Sequence, residues 1–487
     1  MNFILRAEEM RAADKYASET LDIDSFQLMF NAAEALSIEA EKMIDFDKNK
    51  IIIIFCGKGN NGGDGLVTAD ILSKKSYKVH VYTIFGQVFI NDAKKAYDNC
   101  DKSIISEYSD DCISTIKEAD LIIDCIFGTG FNGALKPETA KLITLINSTE
   151  AKRLSCDIPS GCSCNDGTVI TAAVKAHKTV TFATYKPCFF LYPSSEYCGE
   201  TIVADINLPI TAITEQSPNI KLLTETDIEN IIVKRPQHSH KGTFGGVQLV
   251  CGSKRMTGAA VLAAKGALRS GVGLVYIESG RYVRKRLQTQ LSEPVYVKKK
   301  KKTKSTAYIV GCGLGKKGKR VKRLLKFKKP LVIDADSISY LGKHPNIMKK
   351  KHCETILTPH PLELARLCNT TINNVENDRI KVATVAAHEF NSVVVLKGKN
   401  SIIATPQGDV FINNTGNSGL SKGGSGDVLS GVIGSFLAQG YSTTESALIG
   451  VYLHGKAADT LKESTSEYGM LPSDLPETIG KLLKKYE

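Results

Sequence analysis

The segment IIIIFCGKGNNGGDGLVTADIL, residues 51–72, decides the fold. Residues 51–55 form a continuous β-branched and apolar run, the composition of a strand buried on both faces. The glycine-rich loop 57–65 follows at once, and an apolar helical pattern, 66–72, follows the loop. A buried strand turning through glycines into a helix is the repeating joint of a parallel α/β sheet. At such a joint the glycines let successive N–H groups converge on an anion, and the helix dipole adds to the attraction. A second glycine signature, Gly423-Gly424-Ser425-Gly426-Asp427, directly precedes the helical run 428–437. Two such joints of different kind, far apart, predict two enzymes in one polypeptide.

Outward from the first joint, further strand-like runs stand at 79–85, 121–127, 153–158, 179–184 and 201–206, with amphipathic stretches between most of them. Helical patterns at 5–20 and 25–43 precede the sheet. Residues 208–219 lose the periodicity and collect Pro209, Thr211, Thr214, Ser217 and Pro218, a linker composition. A second alternating series follows at 247–251, 273–277, 307–310, 331–334, 355–357 and 392–396. It closes with a hairpin of 401–405 and 410–413 around Pro406-Gln407-Gly408-Asp409. At 487 residues the chain is too long for one ordinary core. Two unlike α/β domains are expected, residues 1–213 and 222–487.

Hydrophobic and charged contents of 42% and 23% are those of a soluble globular protein. No apolar stretch nears the roughly 20 residues that span a bilayer. Residues 1–10 mix Arg6, Glu8 and Glu9 with apolar side chains, unlike a signal peptide, so a cytoplasmic protein is expected. The 13 cysteines are an odd number scattered at strand-like positions, which predicts reduced thiols. Cys162 and Cys164 lack the second pair that a zinc site needs. The net charge of +12 is local: residues 281–329 carry nineteen Lys and Arg against Glu293 alone, and the rest of the chain is net −6. Only Phe327 is interleaved directly between these lysines, fewer aromatic residues than a single-strand stacking surface requires. A solvated loop at 298–302 and the outer face of a helix at 316–329 are expected, and no nucleic-acid partner.

Acids stand at three strand ends. Asp64 lies inside the first glycine loop, Asp124 precedes Gly128-Thr129-Gly130, and Asp157 precedes Pro159-Ser160-Gly161. In an open parallel sheet the C-terminal strand ends line one crevice, so the three are expected to share a cleft. A lone strand-end Asp would be an ordinary helix cap; three beside Gly or Ser point to a site.

These residues carry a family resemblance. Residues 56–70, with Leu121-Ile-Ile-Asp-Cys-Ile-Phe-Gly-Thr-Gly130 and Cys156-Asp-Ile-Pro-Ser-Gly161, resemble the NAD(P)H-hydrate epimerase domain, over about 5–209. The resemblance implies a Rossmann-like three-layer α/β/α fold and, as substrates, the hydrated cofactors NADHX and NADPHX. It implies that Asn60, Asn61, Gly62, Gly63 and Asp64 cradle the dinucleotide with Gly128, Thr129, Gly130, Phe131, Asn132, Gly133 and Ala134. It also implies that Asn61, Asp124 and Ser160 ligate K+, and that Asp157 contacts the reacting ring, where one carboxylate can protonate the leaving hydroxyl and deprotonate the entering water. Two departures, Met29-Phe30-Asn31-Ala32-Ala33 with Phe and Ala where Glu and Gly are usual, and His177 in place of Asp, lie outside the loop, and His177 is expected to be structural.

Around the second signature, a Gly-Ser-Gly turn at a helix start can stabilise a phosphoryl group in flight, and Asp427 beside it can deprotonate a hydroxyl. This resembles the ribokinase-like fold. His238-Ser-His-Lys-Gly-Thr-Phe-Gly-Gly246, Met256-Thr-Gly-Ala-Ala260, Gly311-Cys-Gly-Leu-Gly315, Asp334-Ala-Asp336, Thr358-Pro-His-Pro361 with Glu363, and Leu396-Lys-Gly398 follow in the order of the NAD(P)H-hydrate dehydratase domain. The resemblance implies nucleotide contacts from Lys397, Gly398, Lys399, Asn400, Ser401 and Gly426. It implies hydrate contacts from Ala259, Gly313, His360 and Asp427, with Mg2+ bridging the phosphates of ADP or ATP. Cys312, Leu362 and Ser418 depart from its usual residues. A homo-oligomer is expected. Two other readings stay open: a small-molecule kinase in the second domain, and a non-catalytic binding module in the first.

Overall fold

The computed structural model describes residues 2–299 and 303–487, so Lys300, Lys301 and Lys302 of the expected lysine loop lie outside the described residues. The chain divides into two compact units, Asn2–Pro218 and Asn219–Glu487. In chain order the strands of the first are β1 (Asn2–Ile4), β2 (Ile51–Cys56), β3 (Lys78–Thr83), β4 (Ile105–Glu107), β5 (Leu121–Cys125), β6 (Lys152–Cys156), β7 (Lys178–Phe182) and β8 (Glu200–Ala204).

The main sheet of this unit runs β4-β3-β2-β5-β6-β7-β8, every neighbouring pair parallel. The order reverses between β2 and β5, so a crevice opens at their C-terminal ends. Along β2, Ile52 and Ile54 enter one layer with Leu36, Leu66 and Leu72, while Ile53 and Phe55 enter the other with Ile143 and Ile146. This period of two makes three layers out of a strand that reads as uniformly apolar. Each such side chain, fully buried, contributes on the order of 2 kcal/mol of transfer free energy.

The second unit carries β9 (Ile220–Leu222), β10 (Gly246–Val250), β11 (Leu274–Glu278), β12 (Val295–Val297), β13 (Ala307–Val310), β14 (Leu331–Ile333), β15 (Thr355–Leu357), β16 (Val393–Leu396), β17 (Ser401–Ala404) and β18 (Val410–Asn413). They run β9-β18-β17-β16-β15-β14-β13-β10-β11-β12. The pairs from β16 to β12 are parallel, while β16, β17 and β18 are antiparallel neighbours. Here the switch lies between β10 and β13. The helix Ser425–Gln439 packs on this core, with Val428, Val432 and Ile433 buried against Val247, Leu249 and Ile309.

Three expectations change. The helix after β2 is Asn60–Lys74, so most of the expected glycine loop is its first turn. Residues 208–219 are no slack linker: Ile210–Thr214 is helical, and Ala212 and Ile213 join the first unit's core. The basic stretch after β13 is a 3-10 helix, Gly315–Arg320, and one α-turn, Val321–Leu324. Val321, Leu324 and Leu325 face in as expected, but Arg323 turns from solvent to pair at 2.7 Å with Glu278, which is 1% exposed. All 13 cysteines are free.

Candidate active sites

The crevice of the first unit gathers its acids through backbone geometry. Gly62 is in the first helical turn because a Cβ there would lie 1.8 Å from the Gly57 carbonyl oxygen, an approach that only glycine permits. Asp157 ends β6 in the left-handed region, φ 63°. A non-glycine residue there marks a backbone held by its surroundings. Its Oδ1 accepts from Lys186 Nζ at 2.8 Å and Thr181 Oγ1 at 3.1 Å, and its Oδ2 accepts from the Thr129 N–H at 3.4 Å. Lys186 is 1% exposed, and its ammonium also donates to Thr181 Oγ1 at 2.7 Å and the Phe182 carbonyl at 2.9 Å. Three acceptors for three N–H bonds are what a buried ammonium needs.

Asp124 is buried and accepts from Ser160 N–H (2.8 Å), Ser160 Oγ (2.5 Å), Ser155 Oγ (3.0 Å) and Ile126 N–H (3.3 Å). Burial raises its carboxyl while these donors pull it back. Asp64 is pushed well above the usual carboxylate range, first by burial and then by the charges of Asp157 and Asp14. Asp14, open to solvent on the helix Ala7–Glu19, is raised by the protein packed round its carboxyl, against the pull of Lys186. Asn61 is different: both its Oδ1 and Nδ2 are buried without a hydrogen-bond partner among the described residues. A Cβ on Gly128 would lie 3.1 Å from Asn61 Oδ1 and 3.3 Å from Asp157 Oδ2, which places these two side chains against the same glycine. An orphaned buried amide oxygen fits a missing ligand.

In the second unit Asp334, 1% exposed, follows β14 and is the hub. Its Oδ1 accepts from Lys397 Nζ at 2.9 Å and Thr358 Oγ1 at 2.8 Å, and its Oδ2 from Ser430 Oγ at 2.9 Å. A Cβ on Gly426 would lie 3.2 Å from Lys397 Nζ, so the lysine ends beside the helix start. Gly424 turns that start at φ 113°, a conformation that favours glycine. The first-turn N–H groups of Gly426 and Asp427 have no helical carbonyl behind them and are available to an anion. Asp427 is lifted to about 7, first by burial and then by the Asp334 charge, while a Cys312 hydrogen bond and Lys397 pull it down.

Comparison with known proteins follows from these two sites. The family description NAD(P)H-hydrate dehydratase matches residues 247–481, and YjeF-related protein N-terminus matches residues 25–188. The chain is 33% identical to the bifunctional NAD(P)H-hydrate repair enzyme Nnr of Moorella thermoacetica over 100% of this chain and 97% of that one. The chain belongs to the bifunctional NAD(P)H-hydrate repair enzymes. The Coxiella burnetii relative of the same name is 32% identical over 98% of each chain. The solved ADP/ATP-dependent NAD(P)H-hydrate dehydratase of Bacillus subtilis, co-crystallised with ATP and Mg2+, is 31% identical. It covers 55% of this chain and 99% of its own, with a TM-score of 0.51.

Within this repair-enzyme chain, the expected residues separate by position. Asn61, Asp64, Asp124, Gly128, Thr129, Asp157 and Ser160 meet around the β2/β5 crevice. Asn60, at the helix start, and Gly130, Asn132 and Ala134, in the loop after β5, are exposed; Gly62 and Gly63 are buried in the helix turn. Phe131 packs tilted against Phe127, ring centroids 4.8 Å apart, which shapes that loop. In the second unit Lys397, Gly426 and Asp427 converge, and Gly313 abuts Ala259. Gly398 and Lys399 are exposed, and with Asn400 and Ser401 they form the turn into β17. Gly398 is braced there by Arg379, whose Nη2 donates to the Lys397 carbonyl at 3.3 Å. His360 caps the helix Pro361–Leu367, accepting from the Glu363 N–H at 3.4 Å, with a half-exposed ring that burial and Lys397 pull down. His177 is structural: its Nδ1 accepts from the Arg153 N–H at 2.9 Å. Lys186, Ser430 and Arg379 stand in or behind the sites without a motif of their own, and Asp334 was visible only as part of one.

His454, buried on the helix Thr443–Lys462, places Nε2 3.0 Å from the Ser425 carbonyl and so supports the helix start. Burial takes its ring down to about 4, against the pull of the Ser425 carbonyl. The folded value lies below the unfolded one, so between about pH 6.5 and 4 the unfolded chain binds a proton that the folded chain refuses. Stability from this group is intact above pH 6.5 and falls below it, by about 2 kcal/mol at pH 5. Urea midpoints at pH 7.5 and 5 are expected to show that loss in the wild type beyond any in His454→Gln; equal losses would refute it.

Proposed function

We propose that the first site interconverts the R and S forms of hydrated NADH and NADPH, and that the second dehydrates the S form at the expense of ADP or ATP. For the first, the carrying observation is the Asp157–Lys186 pair at 2.8 Å in the acid-lined crevice. Loss of the C6 hydroxyl, pushed by the ring nitrogen, gives a planar iminium, and water returning on the other face inverts the centre. Asp157 Oδ1 is occupied by Lys186 and Thr181, so Oδ2 is the oxygen that moves the proton. Lys186 fixes that carboxylate and places a positive charge beside it.

Asn61 Oδ1, Asp124 and Ser160 would hold K+. The unpartnered Asn61 oxygen fits a large monovalent cation with oxygen ligands, while Asp124, which already accepts four hydrogen bonds, two of them from Ser160, would exchange one of them for the ion. The ion would supply positive charge beside the dinucleotide.

For the second site, the carrying observation is a carboxyl lifted to about 7 at a helix start with free N–H groups. Hydroxide leaves poorly, and phosphorylating the C6 hydroxyl makes it a good leaving group. Asp427 accepts the hydroxyl proton, the N–H groups of Gly426 and Asp427 bind the phosphoryl oxygens, and Lys397, locked on Asp334, adds charge. Mg2+ bound with the nucleotide would supply charge neutralisation of the transferred group. The expected setting is the cytoplasm and the expected assembly a homo-oligomer, which light scattering on the full chain checks.

The test is to incubate the chain with mixed R and S hydrates and either ADP or ATP. Recovery of reduced-nicotinamide absorbance beyond the S fraction is expected. Recovery stopping at the S fraction would overturn the first assignment. A phosphorylated product accumulating without recovery would make the second unit a small-molecule kinase.

A further inference from the structure

Cys312 enters the second site from the turn after β13. It is fully buried, and its Sγ stands 3.9 Å from Asp334 Oδ2. One donor atom from each of Cys312, Asp334 and Asp427 lies within 4.8 Å of the other two. A tetrahedral Zn2+ with Zn–S of about 2.3 Å and Zn–O of about 2.1 Å needs ligand separations of roughly 3.3–3.8 Å. Cys312 Sγ and Asp334 Oδ2, at 3.9 Å, are already close to that spacing, and the trio as a whole needs to contract by at most about an ångström. Asp427 is partly open to solvent, which gives an ion a way in, and a fourth position is left for water or a phosphate oxygen.

The donor set also selects among metals. One sulfur and two carboxylate oxygens suit Zn2+ or Cd2+, whereas Mg2+ prefers oxygen alone and keeps its waters. Charge closes as well. With Cys312 as thiolate, the three ligands carry −3 and Lys397, 2.9 Å from Asp334, carries +1, so a divalent cation brings the cluster to neutrality.

We propose that Cys312, Asp334 and Asp427 form a binding site for a thiophilic divalent cation of the zinc class, and that its occupancy silences the second active site reversibly. On binding, the Cys312 S–H bond is exchanged for an S–metal bond and the proton is released to solvent. The two Asp427 and Asp334 oxygens coordinate without any change in oxidation state. Asp427 can then no longer accept the hydroxyl proton. The silencing rests on the reading of Asp427 as base; the binding does not.

The experiment uses the reduced full chain and Cd2+ as spectroscopic probe, read by thiolate-to-cadmium absorption, with Zn2+ stoichiometry by equilibrium dialysis. Because other thiols contribute, wild type is compared with Cys312→Ser and, as a second variant that leaves the thiol in place, Asp427→Asn. Cys312→Ser is expected to bind one equivalent fewer and to lose the corresponding Cd2+ band, and Asp427→Asn to bind at least about tenfold more weakly. Zn2+ added to the dehydration assay is expected to inhibit the wild type. Cys312→Ser, compared with its own metal-free rate, is expected to need at least about tenfold more, with R–S interconversion unaffected in both. Equal stoichiometry and equal Cd2+ spectra in wild type and Cys312→Ser overturn the site. One equivalent bound at Cys312 with dehydration undiminished upholds the site and overturns Asp427 as the base.

Discussion

Asp427→Asn is expected to slow nucleotide-dependent dehydration of the S hydrate by about 10²–10⁴-fold while leaving R–S interconversion at its wild-type rate. Asn keeps the size of Asp, so the turn at Gly424 and the N–H groups of Gly426 and residue 427 are expected to stay where they are. What disappears is a carboxylate able to take a proton. The loss should therefore fall on kcat, with nucleotide affinity little changed, because in the proposed arrangement ADP or ATP would meet the backbone and Lys397 rather than the base. The pH profile gives a second reading. The group works deprotonated and is lifted to about 7 by burial and by the Asp334 charge, so dehydration should rise with pH up to about 7 and level off above it. Below that limb, each pH unit should cost about tenfold. A variant that dehydrates at the wild-type rate would remove Asp427 from the chemistry. Loss of both reactions together would instead mean that the chain had not folded.

The two sites were legible to different depths, for physical reasons that particular residues show. Strands buried on both faces, such as residues 51–55 and 307–310, are continuous apolar runs that no helix pattern imitates at that length. The helix Ser25–Met43 appears in the sequence with the bounds it has in the structure. Asn60–Gly65 reads as loop because glycine has poor helix propensity, yet close packing against Gly57 makes a helical first turn the only fit. The helix Ile210–Thr214 hides in a run of Pro, Thr and Ser because its stability comes from two side chains, Ala212 and Ile213, set into a core that the local sequence does not reveal. Three-residue edge strands such as Ile105–Glu107 and Val295–Val297 are too short to show a period. Among site residues, glycine-flanked acids announce themselves, whereas their partners do not. Lys397 and Asp334 are 63 residues apart, and Lys186 and Asp157 are 29 apart, so only the fold makes them pairs. A faint signal for Lys186 exists: it stands four residues past the end of β7, between Tyr185 and Pro187.

Lys186 makes the first site's chemistry separable from its stability. Asp157→Asn is expected to lower R–S interconversion by about 10²–10⁴-fold while dehydration of purified S hydrate proceeds unchanged. Asn tolerates the left-handed backbone that residue 157 adopts at φ 63°, so the strand end should survive the exchange. The same substitution strips a buried ammonium of its counter-charge, and Lys186→Met strips the carboxylate of its own. Breaking a buried pair from one side costs about 3–5 kcal/mol, because the remaining charge stays desolvated and unpaired. Each single variant should therefore unfold its first unit at a clearly lower temperature than wild type. The double variant Asp157→Asn with Lys186→Met removes both charges, and it should recover most of that stability while remaining inactive in interconversion. Recovery of stability without activity is the signature of a pair kept for chemistry. If the double variant regained interconversion, Asp157 would be no more than the partner that lets Lys186 stay buried. If it stayed as unstable as the singles, the pair would be held together by its contacts with Thr181 and Phe182 rather than by charge.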